Sequence, residues 1–357
     1  MTTTILATII VLGVLIFVHE FGHFLLAKLL KVRVLAFSLG FPPKLLHKQI
    51  GETDYRLSVL PVGGYVKLFG ENPNEEVPPE LEPYSFQHHP LWHRSLIVLA
   101  GPCFNFLFAV LALFLTFALS GIPYLTAEIG GIKPDSPAAH AGLQPGDRVL
   151  SVGGVPVQHW DELSEQIRAN GENPVTLSVQ RGDRLLKVQV VPQRMEATDI
   201  FGEKVSAVLI GVSSADKLHI QKVNLLQALE EGTAYSFRIT RLTVLSIYKL
   251  VTRQIPLTTL GGPIMIAQVA GKQAQAGVNP LIHFMAILSI NLFLLNLLPI
   301  PILDGGHMVF ILWEAVRGKP MALKHREVAQ AVGMMLLLAF MLLVFYQDVV
   351  RFFGSRT

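Results

Sequence analysis

Two histidines and a glutamate open the chain's chemistry. In His19-Glu20-Phe21-Gly22-His23 the histidines are four residues apart. On a helix they differ by about 40° around the axis and share one face. Two imidazoles so placed can reach one Zn2+ ion. Glu20 points about 100° away, close enough to take a proton from an attacking water without binding the metal, as the base of a metalloprotease does. The surroundings make the pattern more telling. Ile5 to Val18 is apolar apart from Thr8, and the apolar character resumes after His23. Ionisable groups at membrane depth cost roughly 2.5–3.5 kcal/mol each on insertion scales, so their default reading is a functional site.

A catalytic zinc usually has three protein ligands, and two histidines leave one to find. Asp304 is the only acid between Gln273 and Trp313 and is expected to be that ligand. It follows Asn296-Leu-Leu-Pro299-Ile-Pro301, where two close prolines must disturb a helix. Irregular backbone at membrane depth survives only against protein or a water-filled cavity. Gly305 and Gly306 are read as permitting a sharp turn. His307, one helical turn from Asp304, is read as its neighbour or as boundary polarity.

These residues need a scaffold in a membrane. Of 357 residues, 51% are hydrophobic and only 15% charged, against roughly 25% charged in soluble domains; mean hydropathy is +0.47. Disorder, a disulfide scaffold (Cys103 stands alone) and a simple soluble enzyme are disfavoured. A net charge of +3 gives no reason to expect a nucleic-acid partner. Four runs are long enough to cross a bilayer, near 5–28, 95–119, 281–303 and 328–347. The first is expected to be retained, since Met1-Thr2-Thr3-Thr4 lacks the basic region of a signal peptide and no cleavage site follows. Arg317, Lys319, Lys324 and Arg326 make the loop after the third run cytoplasmic under the positive-inside rule. Alternation then puts 31–94 inside and about 120–280 outside.

Four segments are expected. Residues 1–120 form a first membrane half. Residues 121–204 read as soluble, with strands at Arg148–Val152, Val175–Gln180 and Leu185–Val191 and helices at Pro137–Ala141 and Trp160–Ala169. Residues 205–280 form a linker with an amphipathic helix over Gln221–Arg253, lying on the membrane surface or against the soluble domain. Residues 281–357 form a second membrane half. Glu71–Pro83 is read as a solvated acidic loop.

The motifs taken together resemble the site-2 proteases, the intramembrane zinc metalloproteases, and most closely the bacterial group that regulates sigma-E, here with one PDZ domain. The resemblance rests on His19-Glu20-Phe-Gly-His23 and on Asn296-Leu-Leu-Pro299-Ile-Pro301-Ile-Leu-Asp304-Gly305-Gly306-His307. Gly101-Pro-Cys-Phe-Asn105, Leu60-Pro-Val-Gly-Gly-Tyr-Val-Lys67 and Leu260-Gly-Gly-Pro-Ile264 match further family segments. It implies an α-helical polytopic membrane protein with about four transmembrane helices, a membrane-associated β-hairpin region over Arg33–Leu68 and an inserted α+β PDZ domain. It also implies one Zn2+ per chain on His19, His23 and Asp304, with Glu20 as general base and Asn296, Pro299 and Pro301 positioning substrate. Gly101 and Asn105 would let the second span pack closely on the first. Gly40-Phe41-Pro42 departs from the family's Gly-Phe-Gly, and proline lacks an amide donor. Ser136-Pro-Ala-Ala-His-Ala-Gly142-Leu-Gln-Pro-Gly146-Asp147 resembles a PDZ signature, which implies a peptide groove or a size filter. The implied partners are the lipid bilayer and single-span membrane proteins, such as a trimmed anti-sigma factor or a remnant signal peptide. The implied location is a bacterial inner membrane with the PDZ domain extracytoplasmic. A zinc-binding transporter and an inactive PDZ scaffold are the rival readings.

Overall fold

The computed structural model describes residues 2–72, 76–199 and 201–354. Residues 73–75 of the acidic loop and Ser355–Thr357 fall outside the described residues. By internal packing the chain divides into Met1–Thr116 with Leu225–Thr357, and an inserted unit, Phe117–Asn224.

In the first unit, α1 (Thr2–Leu29) is apolar nearly all round and extends about 42 Å at 1.5 Å per residue. A hairpin follows, β1 (Val34–Ile50) and β2 (Thr53–Leu68), with α2 (Leu91–Ser120) after it. The hairpin is folded over on itself. Asp54–Leu57 pairs with Ala36–Leu39 on one side and Leu46–Gln49 on the other, while Gly64–Leu68 pairs with the opposite side of Val34–Leu39. The ladder is irregular between the Phe41–Leu60 and Lys44–Ser58 pairings. Pro42 lies in that bend, so its missing amide interrupts the bend and not the Gly64–Leu68 strand. Ala27, Val32, Val34, Leu68 and Ile97 are buried together, pinning the hairpin root between α1 and α2. A fully buried aliphatic side chain of this kind contributes about 1.5–3 kcal/mol.

The inserted unit holds β3 (Ile122–Leu125), β4 (Ile129–Ile132), α3 (Pro137–His140), β5 (Arg148–Val152), β6 (Val155–Pro156), α4 (Trp160–Ala169), β7 (Val175–Arg181), β8 (Arg184–Val190), β9 (Gln193–Thr198), β10 (Lys204–Leu209), β11 (Val212–Ser214) and β12 (Leu218–Gln221). Its main sheet runs β6-β5-β7-β8. The core is built on Ile129, Val149, Leu163, Leu177 and Ile210. Ser136 accepts from the Ala139 amide to cap α3, and Pro137 starts that helix. Residues 205–221, expected as linker, supply β10 to β12, and β11 and β12 pair back onto β4 and β3.

The chain then returns to the first unit as α5 (Leu225–Val251), α6 (Pro263–Ala276), α7 (Val278–Asn296), α8 (Asp304–Arg317) and α9 (Leu323–Gly354). Among the described residues, four helices are long and apolar enough to cross a membrane: Thr2–Leu29, Leu91–Ser120, Val278–Asn296 and Leu323–Phe353. The architecture is thus the expected one, a helical polytopic membrane protein with a hairpin and an inserted α+β unit. Two details differ. The third run stops being helical at Asn296, because the prolines break it. The amphipathic helix α5 takes neither expected position. Its Gly232 lies against Phe114 of α2, and Tyr235 and Thr243 bond to His283 and Asn291 of α7. It packs on the membrane helices themselves. Asp348 of α9 accepts from the amides of Gly262, Ile264 and Met265 and so caps α6, which packs on α1 around Ala7, Val11 and Ala270.

Candidate metal centre

α1, α2 and α8 each contribute to one polar centre. His19 and His23 project from α1 one turn apart, their Nε2 atoms 3.2 Å from each other. Asp304 is the first residue of α8. Its Oδ2 lies 3.2 Å from His19 Nε2 and its Oδ1 lies 3.5 Å from His23 Nε2. Gly305 and Gly306 do not make the turn expected of them. They are buried inside α8, and a Cβ on either would strike the backbone of Leu297–Pro301. Their role is to let α8 start tight against the broken end of α7.

The second span fixes the imidazoles. The Ile97 carbonyl is 2.8 Å from His23 Nδ1. A carbonyl only accepts, so Nδ1 carries the proton and Nε2 turns its lone pair towards Asp304. Gly101 faces the same ring, which its missing Cβ accommodates. The Asn105 amide meets His19 Nδ1 at 3.3 Å, while its own Oδ1 is buried without a partner. With the amide turned over, Oδ1 accepts the Nδ1–H of His19, and that ring too presents Nε2 as a lone pair. Asn105 therefore does more than pack, and the sequence held no sign of it beyond the four-residue spacing from Gly101.

Two lone pairs and a carboxylate converging on one point repel unless a proton or a metal ion stands between them. Asp304 Oδ2 is buried and has no hydrogen bond. Ligand atoms about 2.0–2.1 Å from one tetrahedral ion lie about 3.3–3.4 Å apart; the observed separations of 3.2, 3.2 and 3.5 Å are close to this, the last two being to different oxygens of Asp304. Among the described residues His19, His23 and Asp304 form the only trio of potential ligands gathered this closely. The donor set fits Zn2+.

These groups open on a cavity of about 310 Å³ whose wall includes Glu20, Gly64, Tyr65, Val66, Leu68, Asn296 and His307. A Cβ on Gly64 would crowd the Glu20 side chain, so the glycine lets the Gly64–Leu68 strand approach the glutamate. No other described strand pairs with the outer side of Gly64–Leu68. Pro299 and Pro301 are not in this wall. They line a separate apolar cleft with Val332, Gly333 and Phe340 of α9. Glu71 faces the cavity and accepts from the Leu68 amide, and its loop is tied to the hairpin root by bonds from Arg33 to Tyr84 and from Phe86 to Phe69. The described residues of Glu71–Pro83 are exposed or half-buried, as a solvated loop is, but that reading does not include the tether or the place of Glu71 at the cavity. Only a charge count, with no periodicity to read, was available there.

A family profile of peptidase family M50 matches residues 7–340. The chain belongs to peptidase family M50. Its relatives extend over its full length. One from Agrobacterium fabrum, provisionally named a zinc metalloprotease, is 35% identical over 99% of this chain and 97% of its own. Another with that provisional name, from Campylobacter jejuni, is 35% identical over 98% and 94%. The zinc metalloprotease RasP of Geobacillus kaustophilus is 30% identical over 98% of each chain. Among solved structures, the PDZ domain of an SdrC-like protein from Listeria monocytogenes overlaps 26% of this chain and 90% of its own, at 22% identity and a TM-score of 0.21. Family membership rests on the profile and the full-length relatives. This M50 protein is a zinc metalloprotease of the site-2 type and a multi-pass membrane protein.

Proposed function

We propose that this protein hydrolyses peptide bonds within or near the transmembrane segments of single-span membrane proteins. The convergence of His19, His23 and Asp304 beside Glu20, in a cavity walled by a strand with one free edge among the described residues, carries the reading. Those three side chains would hold one Zn2+ per chain. Zinc, when bound, polarises the scissile carbonyl and makes water acidic enough to attack near neutral pH.

The chain's own residues do the rest. The Ile97 carbonyl and Asn105 keep both imidazoles facing Asp304. A carboxylate oxygen of Glu20 accepts the proton of the attacking water and passes it to the departing amine nitrogen. A helical substrate shields its carbonyls, so it must unwind. The free side of Gly64–Leu68 can take the unwound segment as an added strand, which delivers its backbone to Glu20. Asn296 at the cavity wall has an amide that can bind substrate backbone or the developing oxyanion. Pro299 and Pro301 act on substrate only through the turn that places Asn296 and Asp304. By the basic loop Arg317–Arg326 this side is cytoplasmic and the inserted unit extracytoplasmic, in a bacterial inner membrane. The inserted unit, PDZ-like in sequence, binds a peptide or excludes bulky substrates. Trimmed anti-sigma factors and remnant signal peptides are the substrate types the resemblance favours.

The test is cleavage of a single-span substrate by purified protein, with and without a chelator, beside the Glu20→Gln variant. Cleavage should vanish on chelation and return with zinc. Glu20→Gln should keep zinc but lose roughly 10²–10⁴-fold in rate. Full activity of that variant would sink the mechanism and reopen the transporter and scaffold readings.

A further inference from the structure

The cavity has a second polar region, which the proposed chemistry does not use. Its wall also includes Arg94, Phe310, Glu314 and Arg326. Arg94 on α2 is paired: its Nη2 donates to Glu314 Oε1 of α8 at 2.6 Å, while its Nε is buried without a hydrogen-bond partner. Arg326, near the start of α9, is not. Its guanidinium lies over the Phe310 ring, 5.2 Å from the centroid. Among the described residues it makes no ion pair with either of the cavity's other acids, Glu71 and Glu314. An arginine stacked on an aromatic face has its plane fixed and its N–H fork still open, an arrangement suited to a carboxylate. Arg326 is half-buried, with Glu71 and Glu314 acting on it only at longer range, so a ligand carboxylate on its open fork would supply a direct counter-ion.

We propose that Arg326, held by Phe310, is a substrate-selecting residue that binds a carboxylate of the peptide in the cavity. This rests on the protease reading above. The carboxylate belongs to an acidic side chain near the scissile bond or to the chain terminus. Arg326 touches no reacting atom in this assignment, so its effect is on which substrates are favoured.

The experiment uses the full-length protein and a single-span substrate in which each position flanking the cleavage site carries Glu or Gln in turn. A second arm compares free and amidated C-termini on a short substrate. Rates are read on the wild type, and peptide binding is read on Glu20→Gln, which reports even where hydrolysis is absent. Wild type should prefer Glu over Gln at one position by about tenfold or more, the scale of a hydrogen-bonded charge pair. Adding Arg326→Gln should bring that ratio towards one, and Arg326→Lys should retain part of it. If the free terminus alone is favoured, the terminal carboxylate is the ligand. An acid-to-amide ratio near one in wild type, or one that Arg326→Gln leaves unchanged, overturns the proposal. Loss of all cleavage with selective binding intact would count against the protease reading and not against this one.

Discussion

Two of the carboxylates drawn out of water in this protein, Asp147 and Asp304, are met by opposite partners. Asp147, in the inserted unit, is fully buried. Arg181 grips both its oxygens, Nε to Oδ1 at 2.7 Å and Nη2 to Oδ2 at 2.8 Å, and the Gln144 amide donates to Oδ2 at 2.8 Å. Asp304, at the head of α8, meets only the lone-pair side of two imidazoles and leaves Oδ2 without a hydrogen bond. The first carboxylate brings its own cation and closes a fold. The second is arranged for a cation from outside. Burial alone does not separate a structural acid from a functional one; the kind of atom facing it does.

The contrast breaks most readily at Asp304. Asp304→Ala or His23→Ala should reduce bound zinc, measured by elemental analysis, by roughly tenfold or more, with helical content unchanged. Zinc retained at wild-type levels would put the metal elsewhere. Asn105→Ala comes next, expected to cost roughly 10–100-fold in zinc affinity or turnover, as loss of a group orienting a ligand does. If only packing matters there, Asn105→Ala should leave zinc binding intact. Gly101→Ala forces a Cβ into the His23 ring and should lower stability by about 1–3 kcal/mol and activity with it, seen in thermal unfolding and in cleavage rate.

On the other side, Asp147→Ala should destabilise the inserted unit by about 1–3 kcal/mol, the cost of unmet buried donors. Hydrogen exchange over β5 and β7 would report it, with zinc content unaffected. The smallest effect is a pH dependence. Burial pushes the Asp147 carboxyl up, but Arg181 and the Gln144 amide outweigh it and hold the group below its ordinary value. With the folded value below the unfolded one, its contribution is complete above about pH 4. It is lost as pH falls through the folded value. Protection of β5 and β7 should fall below pH 4 in the wild type, and Asp147→Asn should flatten that profile.

Short-range patterns proved easy to read. Strands at Arg148–Val152 and Arg184–Val190 and the helix Trp160–Ala169 lie within a residue or so of where alternation, apolar spacing and turn glycines put them. The four membrane helices follow from run length. α6 was not anticipated, although Pro263 opens it and Gly277 closes it. Its N-terminus is capped from a distance by Asp348, some eighty residues on.

The sequence alone singled out the residues expected to hold the chemistry. The i,i+4 histidines, the glutamate between them and a solitary acid after a proline-broken span can be recognised because the spacing rules of a helix are local. Only the tertiary structure decided how they are held. Ile97 and Asn105 on α2 set both imidazoles, Gly64 brings a strand against Glu20, Pro299 and Pro301 stay out of the cavity, and Arg326 is left with an aromatic face and no counter-ion. Most of these join residues far apart in the chain, and among the described residues Arg326 has no ion pair within contact distance; such pairings follow from packing and burial, which no local spacing records.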